Sequence, residues 1–545
     1  MKMMKFKTLK KIIFFSFLSL LTASIATAVV FKIKTPYLVS IYNYESYLAK
    51  PLIEKINKKY SYRLFNDINV FTKDIEQGKT VGGVGSDFQI ANLVLKGQIK
   101  KINWNILIDD LSNDRNTKKQ QIQSFFTDVT NKHIQKYENW IIDKIIEINP
   151  NNNKERDKFN NVVKPYLYYK NENLDKEKRN NIDNILGFEV DSKEGIDNFY
   201  EFLIPYFIQD KVVAYNINKN SRPHVTPLKS ETDFKSLTWK SIYDALYKAG
   251  YRKFGWTNVY YDNLMLGQYF DSEEKNKHNY LTKNGLENIN LNNIDDIINY
   301  FKEFVLSTTK HSILETKYNR LATNGLELVN DLIDPSKEKL DAALMYNGDV
   351  LDSYYSNDNF SILKDGENVD YIRPKNNMIL LDAWIISKSV SEKDSDDMLK
   401  YLKEVIFDTF NYSYEQLVSD YYNSILDSLD NKNISKNELF NNDKPKAISE
   451  INTDFFTQNF DKFKDFSFSN MLTNFDSLNY TPTIKNEFNF FKNYYFLNEN
   501  KEIDKKAQNI YNINTNDNIY YSFYVPLDNE IKSIVVKKYF EKTHS

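Results

Sequence analysis

Five lysines (Lys2, Lys5, Lys7, Lys10 and Lys11) precede an uncharged run from Ile12 to Val30, and none of the 545 residues is a Cys. As a helix rising about 1.5 Å per residue, that run is about 28 Å long, close to the roughly 30 Å hydrocarbon layer of a bilayer. Basic residues ahead of it put the N-terminus in the cytoplasm and everything after it outside. Two readings of the run stand: a retained anchor, favoured by its length, and a cleaved signal peptide, for which Thr22 to Ala28 offers small residues. Either way the body is exported, and without a disulfide it must be held together by its cores alone. The missing Cys also removes thiolate metal sites, Cys nucleophiles and lipid attachment through an N-terminal lipoprotein Cys.

Large cores are within reach. Hydrophobic residues make up 41% of the chain and aromatic residues 15%, which excludes wholesale disorder. The length suggests about three or four domains. Lys and Arg number 72 against 74 Asp and Glu, a net charge of −2, so no basic surface for nucleic acid is expected. The five His residues (His133, His224, His278, His311 and His544) show no metal-ligand spacing, and neither a metal nor a cofactor is expected. Gly78-Lys79-Thr80 lacks the earlier Gly of a phosphate-binding loop, that place being Lys73, and no GxSxG elbow surrounds Ser86. Asp109-Asp110 and Asp295-Asp296 read as solvated partners of helix ends. Nothing here asks for catalysis.

Along the body, Tyr37 to Tyr44 reads as a strand, and Ser46 as the cap of a helix carrying Leu52, Ile53, Ile56 and Tyr60. Val81 to Asp87 places three glycines in a Gly-poor chain, a strand entering a tight turn, with a helix from Phe88 to Leu95. This β-α-β-α opening predicts an α/β sandwich. Residues 105–199 read as a helical insertion in which Lys119 to Ile148 form one amphipathic helix. The α/β pattern resumes with strands at Lys211 to Tyr215, Lys253 to Thr257, Leu340 to Tyr346 and Met378 to Ser387. Helices are predicted at Leu237 to Ala249, Asn293 to Thr308, Asn319 to Ile333 and Asp394 to Phe410. Residues 430–470 are polar and irregular.

Ligands of α/β folds bind beyond the carboxyl ends of strands. Four such places stand out: Asn43 to Tyr47, Ser86 to Phe88, Leu344 to Asp349, and Asp382 inside the apolar run Met378 to Ile386. A carboxylate in that run is costly to bury unless a cation or strong hydrogen bonds meet it. An internal Arg or Lys partner and a ligand cation both remain open.

The order of these segments resembles the spermidine/putrescine substrate-binding proteins of ABC importers. Asn43-Tyr44-Glu45-Ser46-Tyr47 stands where that family has NWTEY, and Val84-Gly85-Ser86-Asp87-Phe88 where it has VPS-x-Y. Gly97 to Ile102 matches its G-x-I-x-K-I pattern. Ile204-Pro205-Tyr206 matches IPY, Met345-Tyr346-Asn347-Gly348 matches IWNG, and Arg373-Pro374-Lys375 with Leu381-Asp382-Ala383 match WPK and MDS. Asn479-Tyr480-Thr481-Pro482 is similar to GYPTP. The likeness covers roughly residues 36–104, 200–410 and, more loosely, 471–545, leaving 105–199 and 411–470 as insertions.

The resemblance implies an α/β, two-lobed periplasmic-binding-protein type II fold with a hinge, behind the N-terminal anchor or signal of residues 1–35. Lobe 1 would comprise 36–215 and 383–485, lobe 2 216–382 and 486–545. It implies that Tyr44, Tyr47, Ser86, Phe88, Asp262, Tyr346, Asp382 and Tyr480 face a polyamine, that a permease receives it, and that the protein is a monomer. Carboxylates would hold the amines, and aromatic walls the methylenes. Three family tryptophans are here Tyr44, Tyr346 and Leu380, and one of two second-lobe carboxylates is Val259, with Glu45 a candidate replacement charge. The expectation is therefore a polyamine-binding, membrane-tethered importer component. A binder of another small cation, or a surface interaction protein acting through 105–199, are the alternatives.

Overall fold

A computed structural model describes residues 38–65, 68–191, 193, 195–228, 234–282, 285–336, 338–430, 468–496, 502–513 and 518–544. The apolar run Ile12 to Val30 and most of the polar tract 430–470 lie outside the described residues. Among the described residues no helix is long and apolar enough to cross a membrane.

The first half of the chain contributes strands β1 (Ser40–Tyr44), β2 (Ser61–Phe65) and β3 (Gly82–Ser86). It adds a hairpin of β4 (Tyr166–Tyr169) and β5 (Ile185–Glu189), then the 13-residue β6 (Ile204–Asn216). The second half contributes β7 (Phe254–Thr257), the short pair β8 (Leu281–Thr282) and β9 (Gly285–Leu286), β10 (Asn319–Ala322) and β11 (Ala342–Tyr346). After them come β12 (Val369–Ile372), the 11-residue β13 (Asn376–Ile386) and β14 (Tyr520–Phe523). With helices between most strands this is a mixed α/β fold.

Ten strands make one sheet in the order β10-β7-β11-β6-β13-β3-β1-β2, with β12 also on β6 and β14 on β13. The long antiparallel pair β6 and β13 joins two half-sheets. Residues 204–210 of β6 pair with β13, whereas Lys211 to Tyr215 pair with β11. In the same way β13 pairs with β14 over Asn376 to Ile379 and with β3 over Asp382 to Ile386. Both strands read as near-continuous apolar runs because both of their faces are covered. Val213 and Tyr215 enter one hydrophobic cluster, and the alternate residues Val212 and Ala214 enter the other, as the two-residue period of a strand requires. The glycines of β3 answer to crowding: a Cβ on Gly83 would lie 2.1 Å from the Tyr42 carbonyl oxygen.

Three expected elements come out differently. Lys119 to Ile148 is two helices, Arg115–Ser124 and Asp128–Ile148. Phe126 bridges to Ile484, the Thr127 amide donates to the Thr483 carbonyl, and the Thr127 side chain caps the second helix. Asn319 to Ile333 is likewise strand β10 followed by the helix Gly325–Ile333, which Asn324 caps. Ser46 does not cap. It sits at φ 56°, and the helix Lys50–Ile56 starts after Ala49 with Pro51 in its first turn. The acidic pair at 295–296 does lie in the first turn of a helix, Ile294–Thr309, where Asp295 meets Lys538 and Lys542 of the C-terminal helix Asn529–His544.

Candidate functional site

The carboxyl ends of β1, β3, β7 and β11 converge on a cavity of about 150 Å³ beside the β6/β13 pair. Tyr44, Glu45, Tyr47, Ser86, Asp262, Tyr346, Asp382 and Tyr480 all line it. The structure therefore brings eight of the nine residues singled out from the sequence into one place. Glu45 is exposed, at the rim. Phe88 is the exception: it packs on Tyr261, ring centres 5.0 Å apart, and so backs the wall rather than lining it. Val259 and Leu380, at positions where the resembling family carries a carboxylate and a Trp, also face the cavity.

Asp382 is buried, 2% exposed, in the middle of β13. Its partners are hydroxyls: Ser86 Oγ donates to Oδ1 at 2.6 Å and Tyr47 OH donates to Oδ2. Among the described residues no Lys or Arg pairs with it. Ser86 stands at the cap position of the helix Asp87–Leu95 but leaves the cap unmade. Its proton goes to Asp382, so Tyr44, whose hydroxyl is 2.7 Å from Ser86 Oγ, is the donor in that contact. Tyr47 OH in turn accepts from Gln209 Nε2 at 2.7 Å. Burial pushes the Asp382 carboxyl up to about 7, against the pull of Ser86 and Tyr47, and Asp87 adds its charge in the same direction. Asp87 is fixed behind the site by the Leu381 amide at 2.8 Å and by His133 Nε2 at 2.6 Å, which ties the helix Asp128–Ile148 to β13.

On the other side, Asp262 occupies the first turn of the helix Tyr260–Phe270. Lys211 Nζ meets its Oδ2 at 2.6 Å, and both groups are fully buried. Burial holds the Lys211 ammonium below its ordinary value, with Asp262 opposing. The same ammonium lies 3.3 Å from the centre of the Tyr346 ring. Tyr480 closes the cavity, 4.9 Å from the Tyr47 ring and donating to Asp349 Oδ1 at 2.9 Å. Burial pushes Asp349 up to about 6.

Gln209 and Lys211 are site residues that the sequence reading does not single out, whereas Asp349 closes the expected segment Leu344 to Asp349 without being singled out within it. Lys211 carries the same signal as Asp382, a charge inside an apolar strand. Among the described residues no group of His, Asp and Glu is arranged to hold a metal ion.

Residues 1–524 match the MG045 family, described as hypothetical lipoproteins. The chain belongs to that family. Because no residue of this MG045-family chain is a Cys, a thioether-linked lipid has no attachment point within it. No curated protein matches it. Similar solved structures include a candidate spermidine/putrescine ABC transporter from Listeria monocytogenes, at 11% identity and TM-score 0.44 over 92% of this chain and 98% of that one. They also include the spermidine/putrescine ABC transporter substrate-binding protein PotD from Streptococcus pneumoniae, at 10% identity and TM-score 0.43 over 93% and 99%. The Tp0655 (TpPotD) lipoprotein of Treponema pallidum is similar at 11% identity and TM-score 0.38 over 69% and 83%.

Proposed function

We propose that the chain is an extracytoplasmic solute-binding protein of an ABC importer, closing two lobes on a small organic cation of the polyamine class and delivering it to the permease. The observation that carries this is Asp382: a buried carboxylate with no cationic partner among the described residues, in a cavity walled by Tyr44, Tyr47 and Tyr480. A buried carboxylate without a counter-charge is expensive. A ligand ammonium would supply that counter-charge, with three aromatic rings to cover its methylenes. The type II arrangement finds support in β6 and β13, two long strands that each change partners midway. We set the hinge at those changes, Asp210/Lys211 and Ile379 to Asp382, just ahead of the lobe boundaries expected at 215/216 and 382/383.

Calorimetric titration of the purified protein with putrescine and spermidine tests the reading, with small-angle scattering of the same samples. Saturable binding and a smaller radius of gyration are expected, since hinge closure around ligand is a common response. Heat of dilution alone, with an unchanged radius, would leave the surface-interaction reading in its place.

One glycine gives a sharper check. A Cβ at Gly348 would stand 2.0 Å from Tyr480 Cδ1, so Gly348→Ala must push that ring out of the cavity wall. Overpacking of this kind costs about 1–3 kcal/mol. A folded protein with amine affinity reduced by about tenfold or more is expected from titration and melting together. Unchanged affinity would remove Tyr480 from the site.

A further inference from the structure

We infer that Asp262 is closed to ligand in this chain, because Lys211 fills it as a built-in ammonium, and that the ligand is a short diamine held by Asp382 and Asp349. This inference rests on the solute-binding reading and narrows its substrate class. An ionised carboxylate has about four lone-pair positions. At Asp262 all are taken: Lys211 Nζ and Thr257 Oγ1 reach Oδ2, each at 2.6 Å, while Tyr524 OH at 2.6 Å and Tyr346 OH at 3.3 Å reach Oδ1. The carboxylate and the Tyr346 face, with the ammonium 3.3 Å from the ring centre, form the cradle that an amine ligand needs. Here a residue of β6 already lies in it.

Asp382 and Asp349 differ from Asp262 in what they lack. Asp382 accepts from two hydroxyls, and Asp349 accepts one side-chain hydrogen bond, from Tyr480. Neither is in an ion pair among the described residues, and both line the cavity. The rings of Tyr47 and Tyr480, 4.9 Å apart and tilted by 39°, connect them, Tyr47 donating to Asp382 and Tyr480 to Asp349. With Asp262 neutralised by Lys211, two buried carboxylates of the cavity lining remain without a cation, and two ammonium groups balance them. The third ammonium of a triamine would find no open buried carboxylate, only Glu45, exposed to solvent at the rim.

Titrations with butylamine, putrescine and spermidine test this. Wild-type protein should bind putrescine about tenfold or more tighter than butylamine, and spermidine no tighter than putrescine, a factor of ten being about 1.4 kcal/mol. Asp349→Asn should bring putrescine down to the butylamine level and change butylamine by less than about threefold. Lys211→Met should reverse the preference, favouring spermidine by about tenfold. Since that variant leaves a buried carboxylate unpaired and can fail to fold, the double variant Lys211→Met/Asp262→Asn, which removes both charges, provides a second arm. It should keep putrescine affinity within about threefold of wild type. Wild-type preference for spermidine by tenfold, or loss of putrescine by the double variant but not by Asp349→Asn, overturns the inference and leaves the solute-binding reading intact. No binding of any amine by wild type overturns both.

Discussion

Asp382→Asn is expected to abolish measurable amine binding while raising the melting temperature of the unliganded protein at pH 8. The two effects share one cause. Ser86 and Tyr47 hold the carboxylate by hydrogen bonds, and no cation neutralises it among the described residues. Cutting one partner of a buried charged pair costs about 2–5 kcal/mol of binding, a loss of about thirty-fold to several thousand-fold. The apo protein gains instead. A carboxyl raised from its ordinary 3.8 to about 7 by the fold costs on the order of 4 kcal/mol at high pH, at about 1.4 kcal/mol per unit. The folded state binds more protons than the unfolded one between those values, so this cost grows as pH rises from about 4 to about 7 and then levels off. The gap in melting temperature between variant and wild type should therefore be widest at pH 8 and nearly closed near pH 4. Asparagine keeps the shape and one acceptor of the aspartate, which separates charge from packing. A variant that melts lower at pH 8 and still binds amine would make Asp382 a structural residue.

Asp382 can be found in the sequence because it breaks an apolar run, and a buried charge there has to be explained. Tyr44, Tyr47, Ser86 and Tyr346 can be found because they sit at or just beyond strand ends, where α/β folds gather ligands. What escapes depends on partners far away in the chain. Lys211 reaches Asp262 across 51 positions, and nothing local to either residue announces the pair. Asp210 beside it is likewise paired, with Arg373, 163 positions on. The segment Gln209-Asp210-Lys211, three polar residues inside a long apolar strand, is nonetheless a visible anomaly of the same kind as Asp382. It marks the place where β6 changes partners. The break between the helices Arg115–Ser124 and Asp128–Ile148 has a similar origin. The apolar spacing runs on through Phe125 and Phe126, and the break falls where Phe126 and Thr127 meet Ile484 and Thr483, more than 350 positions on, with Thr127 itself capping the second helix.

Amine affinity should rise steeply with pH, opposite in sign to the stability of the unliganded fold. A cation binds the ionised carboxylates, and in the empty cavity burial holds Asp382 up to about 7 and Asp349 up to about 6. At pH 8 both are largely charged. At pH 5 about one molecule in a hundred has Asp382 ionised, so that group alone weakens binding by about a hundredfold, and Asp349 adds about tenfold where the ligand also engages it. Aliphatic ammonium groups titrate near 10, as Lys does, and stay charged throughout, so the slope belongs to the protein. The tyrosines near Asp382 do not supply it: Tyr44 and Tyr47 are driven well above 10 by burial and remain neutral hydroxyls. Binding near pH 6.5 must therefore release protons, which appears in calorimetry as an enthalpy that changes with the ionisation heat of the buffer. Asp349→Asn should flatten the lower part of the profile and keep the rise governed by Asp382. A profile that is level from pH 5 to 8, with no proton release, would put the cation somewhere other than against these two carboxylates.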